Sequence, residues 1–118
     1  MVIVGKRILV IPSNAFKKYQ KECRKQIDKL ELYFEKPITD DVILTAWYYL
    51  PTRRKPDLIN LLQATCDIIS SQKKKGKIMW EGILADDKQV VSFGDSKIVG
   101  VDKENPRVEI RIEVVKSD

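Results

Sequence analysis

TRRKPDLINLLQATCDIISS, residues 52–71, sets an amphipathic pattern directly behind three consecutive basic residues. At about 100° per residue, Leu58, Leu61, Leu62, Thr65, Ile68 and Ile69 fall in one arc. They predict a helix over roughly Pro56 to Ser70, with Pro56 in its first turn, where a missing N–H costs nothing. Asn60, Gln63, Ala64 and Asp67 lie on the other side. Ile59 also points away from the apolar arc, an unexpected place for a large aliphatic side chain.

Working outward, Val42–Leu50 (VILTAWYYL) is β-branched and aromatic and reads as a strand ended by Pro51. Ile8–Ile11 is a buried strand that runs into the turn Pro12-Ser13-Asn14. Phe16, Tyr19, Cys23, Ile27, Leu30 and Tyr33, three or four apart, predict a second helix from Ala15 to about Glu35, capped by Ser13 or Asn14. Gln72–Lys77 reads as a basic loop, Ala85-Asp86-Asp87 as a turn, and Lys88–Val99 and Arg107–Val115 as two final strands. The order β–α–β–α–β–β points to an α+β fold: one small domain, residues 1–118, with a mostly antiparallel sheet packed with two helices. A length of 118 residues suits a single core.

Composition narrows the chemistry. The chain contains no histidine, which removes imidazole acid–base catalysis and His-ligated metal sites. Catalysis would have to rest on carboxylates, lysines or metal-bound water. Cys23 and Cys66 stand apart in helical patterns and read as buried free thiols. A formal net charge of +5 leans towards polyanionic partners. No apolar run approaches the roughly 20 residues of a membrane span, and the first residues do not read as a secretory signal, so no membrane association is expected and the expected compartment is the cytoplasm.

Asp57 has a structural explanation in the helix dipole, which favours an acid in the first turn. Asp86-Asp87 has one as a turn-forming pair. Arg53-Arg54-Lys55 and Lys73-Lys74-Lys75 can be solvated loop charges. The function that would unite them is phosphodiester hydrolysis, in which carboxylates hold a divalent metal and a basic rim holds the backbone.

The segment Arg53-Arg54-Lys55-Pro56-Asp57-Leu58-Ile59-Asn60-Leu61-Leu62-Gln63, with Asp67 further along and Asp86-Asp87-Lys88-Gln89-Val90-Val91 later, resembles the motifs of the RusA family, phage-type Holliday junction resolvases of DNA recombination and repair. Pro12-Ser13-Asn14 is similar to that family's early turn. The resemblance implies a homodimeric endodeoxyribonuclease that binds four-way junction DNA and hydrolyses phosphodiesters with Mg²⁺, or Mn²⁺. By position, Asp57 and Asp87 would be metal-binding and catalytic carboxylates, with Asp86 a neighbouring metal ligand and Asn60 in support. Arg53, Arg54, Lys55 and Lys97 would contact phosphates, joined by the basic run Lys73-Lys74-Lys75. Ile59 stands where the family has a second metal-binding Asp, and Gln63 where it has a lysine implicated in catalysis. Two functions follow: an active resolvase completed by another acid such as Asp86, Asp67 or Glu81, or a catalytically degenerate junction-binding protein. An unrelated interaction module would be the reading only if the motif match were accidental. Trp47-Tyr48-Tyr49 and Ile3-Val4 are candidate dimer contacts.

Overall fold

Alternation builds the longest strands. In a computed structural model that describes residues 2–12, 38–54, 56–80 and 82–116, Leu9 and Ile11 are buried while Ile8 and Val10 face out, the period of two that a pleated strand imposes. They belong to β1 (Val2–Pro12). Val42, Leu44, Ala46 and Tyr48 of β2 (Val42–Leu50) and Val108, Ile110 and Ile112 of β7 (Arg107–Lys116) alternate onto the same inner face. β7 lies between β1 and β2 and is antiparallel to both.

The helix expected near Pro56–Ser70 is α1 (Leu58–Ile69). It buries Thr65, Cys66, Ile68 and Ile69 and packs Leu58, Leu61 and Leu62 against the sheet core. The fully buried Ile68 and Ile69 each stabilise the fold by about 1.5–3 kcal/mol, the partly buried leucines by less. One polar contact sits inside this interface: the hydroxyls of Tyr48 and Thr65 are 2.7 Å apart. Burial pushes the Tyr48 phenol up to about 12. Tyr48 is only 3% exposed, so it belongs to the core and not to a dimer contact.

The two long ladders, β1–β7 and β7–β2, are antiparallel as expected, but the sheet as a whole is mixed. β5 (Val90–Ser92) and β6 (Lys97–Val101) both pair with β2, and both run parallel to it. A parallel partner needs a long crossover, and α1 with the segment behind it supplies one. The expected strand Lys88–Val99 is broken into a 3₁₀ turn, Asp87–Gln89, and two short strands. Gly94 explains the break: its φ is +51°, and a Cβ there would lie 2.5 Å from Thr45 Oγ1. Where the ladder is interrupted, the Ser96 hydroxyl accepts from the Ala46 N–H at 2.9 Å.

Gln72–Lys77 also departs from expectation. It is not a loop but the start of a hairpin, β3 (Gln72–Lys74) and β4 (Lys77–Trp80), which forms a two-stranded sheet of its own. α1 is the only helix of the α type among the described residues. The second predicted helix, Ala15–Glu35, lies outside them, as do Cys23, Lys55 and Glu81.

On the outer face, the Arg107 guanidinium lies 3.8 Å from the Tyr49 ring centroid and Arg111 lies 5.1 Å from that of Trp47. Arg107 also pairs with Asp102 and Glu109 at 2.9 Å each. These arginines and rings hold one another in place.

Candidate functional site

Asp57 is extended (φ −74°, ψ 123°) and caps α1: its Oδ1 accepts from the Ile59 N–H at 2.9 Å. The sequence placed it within the first turn, but it stands one position earlier, as the N-cap. The cap satisfies one of the N–H groups that a helix start leaves open. Arg53 and Arg54 are exposed on the approach to this end of the helix. Asp57→Ala should cost about 1 kcal/mol by loss of the cap, whereas Asp57→Asn should keep both the cap and the stability. Urea unfolding of the two variants checks this, and equal losses in both would mean that the charge, not the cap, is what counts.

Asp86 caps the 3₁₀ turn in the same manner, accepting from the Lys88 N–H at 2.9 Å. Gln89, almost wholly buried, completes the arrangement. Its side-chain oxygen accepts from the Asp86 N–H, and its amide donates to the Ile38 and Asp40 carbonyls, each at 2.7 Å. This one side chain ties the acidic turn to the segment leading into β2 and fixes Asp87 beside α1.

Ile59, Leu62, Gln63 and Cys66 of α1 meet Asp87, Val90 and Phe93 around an open cleft of about 340 Å³. The two departures from the acidic motif, Ile59 and Gln63, therefore share a cleft with Asp87. Ile59 is 73% exposed at its edge, which explains why the helical pattern gave it no place in the core. Asp57 does not line this cleft, nor does Asn60, which is exposed on α1.

The Asp87 carboxyl is held above the usual carboxylate range, first by a hydrogen bond with the Asp86 carboxyl, then by partial burial and by the negative charges of Asp86 and Asp67; Lys88 opposes the shift. Burial pushes the Cys66 thiol up to about 11, helped by Asp87 and Asp67. Asp67, one of the acids that could complete the site, thus lies within electrostatic reach of Asp87. Cys66, Leu62, Val90 and Phe93 were not anticipated as lining residues; only their apolar character could have pointed to them.

Metal binding is a matter of donor geometry. No group of three or more His, Cys, Asp or Glu among the described residues is placed to hold a metal ion. The nearest approach is the Asp86–Asp87 pair, whose carboxyls already bond to each other. Ile59 offers the cleft no donor atom, and the acids among the described residues do not by themselves fit a resident Mg²⁺ or Mn²⁺ site.

The predicted phosphate contacts are dispersed. Lys74 and Lys75 are exposed on the β3–β4 hairpin, with the Lys73 backbone in β3. Lys97 opens β6 and lies 3.6 Å from Asp95 in an exposed ion pair.

A basic approach to the Asp57-capped start of α1, with the Asp86-capped acidic turn held beside the same helix, sits on a small α+β domain with a mixed sheet. The chain matches the family described as Endodeoxyribonuclease RusA over residues 2–113, and it belongs to that family. No curated protein matches it. No helix among the described residues is long and apolar enough to cross a membrane.

Proposed function

We propose that this protein binds four-way DNA junctions as a homodimer and that its own hydrolytic centre is incomplete. One observation carries the reading: Ile59 and Gln63, at the positions where the family has an acid and a lysine, share with Asp87 a cleft lined mainly by apolar side chains. A phosphoryl-transfer site needs charge where the transition state develops it, and here that charge is reduced to the Asp87–Asp86 pair. Binding needs less. Phosphate contacts are electrostatic and tolerate a poor catalytic centre, and the exposed Arg53 and Arg54 before α1 can supply them.

A two-fold protein suits a four-way junction because the junction itself has approximate two-fold symmetry. Family membership supports the nuclease lineage and the DNA partner. A second reading, cleavage by a relocated site, is favoured by Asp67 lying within electrostatic reach of Asp87.

Binding is tested by titrating labelled four-way junction and linear duplex of equal length across a salt series. The junction should bind more tightly, with a log–log salt slope of about −0.9 for each phosphate neutralised. Arg53→Ala with Arg54→Ala should weaken binding and flatten the slope by about 1.8. Equal affinity for the two DNAs would remove the junction reading.

A further inference from the structure

The β3–β4 hairpin is built to hold a cluster of lysines in a set position. Its tip is Lys74-Lys75-Gly76-Lys77, in which Lys74 pairs with Lys77 across the turn. Both central residues are left-handed, Lys75 at φ 51° and Gly76 at φ +78°, as the tightest two-residue hairpin turns require. Gly76 adopts that backbone freely, but Lys75 does not. Asn, Asp or Gly would be the easier choice at its position, so a cation stands there against the backbone's preference. Lys74, Lys75 and Lys77 are exposed, and none forms an ion pair among the described residues.

The base of the hairpin is fastened. Gly82 passes so close to the end of α1 that a Cβ would lie 2.5 Å from the Ile69 carbonyl oxygen and 2.7 Å from the Ser71 nitrogen. The Ser71 hydroxyl accepts from the Gly82 N–H at 2.9 Å and donates to the Leu84 carbonyl at 3.1 Å. Two backbone bonds close the same point: Ser71 N–H to the Leu84 carbonyl at 2.8 Å, and Leu84 N–H to the Ile69 carbonyl at 3.1 Å.

Lysines on a flexible loop would follow any phosphate backbone. Lysines on a fastened hairpin present charge at one place, and such preorganisation converts attraction into recognition of shape. That place is also separate from the first basic cluster. Arg53 and Arg54 precede the N-terminal end of α1, and the hairpin follows its C-terminal end. The 12 residues of the helix span about 18 Å.

We infer that the hairpin tip, through Lys74, Lys75 and Lys77, is a second DNA-backbone contact that grips a different arm of the junction from the one held by Arg53 and Arg54. The contact makes the preference for branched over linear DNA depend on the spacing of two rigid points. The inference rests on the junction-binding reading above.

The test compares wild type, Lys74→Gln/Lys75→Asn/Lys77→Gln, and Arg53→Ala/Arg54→Ala on a four-way junction and on a linear duplex the length of one arm. Lys75→Asn suits the left-handed turn, so that single variant keeps the hairpin even if the triple variant melts early. For the triple variant on the junction, the salt slope should be shallower by about 2.7, so that wild type loses about 40-fold more affinity than the variant between 50 and 200 mM salt. Lys75→Asn alone should give about one third of the slope change. Affinity for the short duplex should fall by about two-fold or less, because one arm can still be held at Arg53 and Arg54. Unchanged junction binding in both hairpin variants, with the arginine variant impaired, overturns the hairpin contact and leaves the junction reading intact. An equal loss on both DNAs overturns the two-arm assignment. A wild type without preference for the junction removes the junction reading, and this inference with it.

Discussion

Ile59→Asp combined with Gln63→Lys is expected to raise Mg²⁺-dependent nicking of a four-way junction by about 100-fold or more over wild type, the scale on which single charge-stabilising groups act in transition states. Both side chains already line the cleft that contains Asp87. Ile59 is 73% exposed, so an aspartate there would not bury its charge. The first turn of α1 carries no acid at present, and the helix dipole favours one. The lysine one turn further on would offset the crowding of acids and face the same cleft. Each single change should yield much less than the pair, because groups that act as one site are not additive. The measurement is the single-turnover nicking rate on a labelled junction with Mg²⁺ and with Mn²⁺, and Asp87→Asn in the double variant is the inactive control. Robust nicking by wild type that Asp87→Asn abolishes would defeat the incomplete-centre reading and establish the relocated site. A double variant that binds but does not nick would place the loss beyond these two positions.

Gln89→Ala should be the most destabilising polar substitution near the site, at about 3 kcal/mol. It removes three hydrogen bonds at once, and it leaves the Asp86 N–H and the Ile38 and Asp40 carbonyls without this partner. Gln89→Glu should be no better, since it would set a carboxylate against two carbonyl oxygens. Urea denaturation reads the loss as a lower midpoint at unchanged slope. The cleft offers a second readout: with the turn released, the Cys66 thiol should become more reactive towards a thiol reagent in the folded protein. A wild-type midpoint would show that the acidic turn is held by contacts other than this side chain.

Much of this molecule is legible from local pattern. α1 could be read from Leu58, Leu61, Leu62, Thr65, Ile68 and Ile69 because a helix repeats its buried face every three or four residues, whatever it packs against. β2 and β7 could be read from alternation for the same reason. The odd position of Ile59 was visible too, since a residue off the apolar arc of a helix is off it in any fold. The β3–β4 hairpin was not legible, because the run Gln72–Lys77 is wholly polar apart from Gly76 and shows no apolar alternation, and the turn at Lys75-Gly76 declares itself only through backbone geometry.

By itself, then, the sequence determined the local elements, the pairing of acidic and basic segments, and the membership that those motifs carry. Tertiary structure alone decided that β5 and β6 run parallel to β2, that Asp57 is a cap lying outside the cleft, and that Ile59, Gln63 and Asp87 meet around it. The physical reason is range. Periodicity and capping are set by neighbours a few residues away. Strand direction and the convergence of residues 59 and 87 depend on how a crossover returns to bury one shared core.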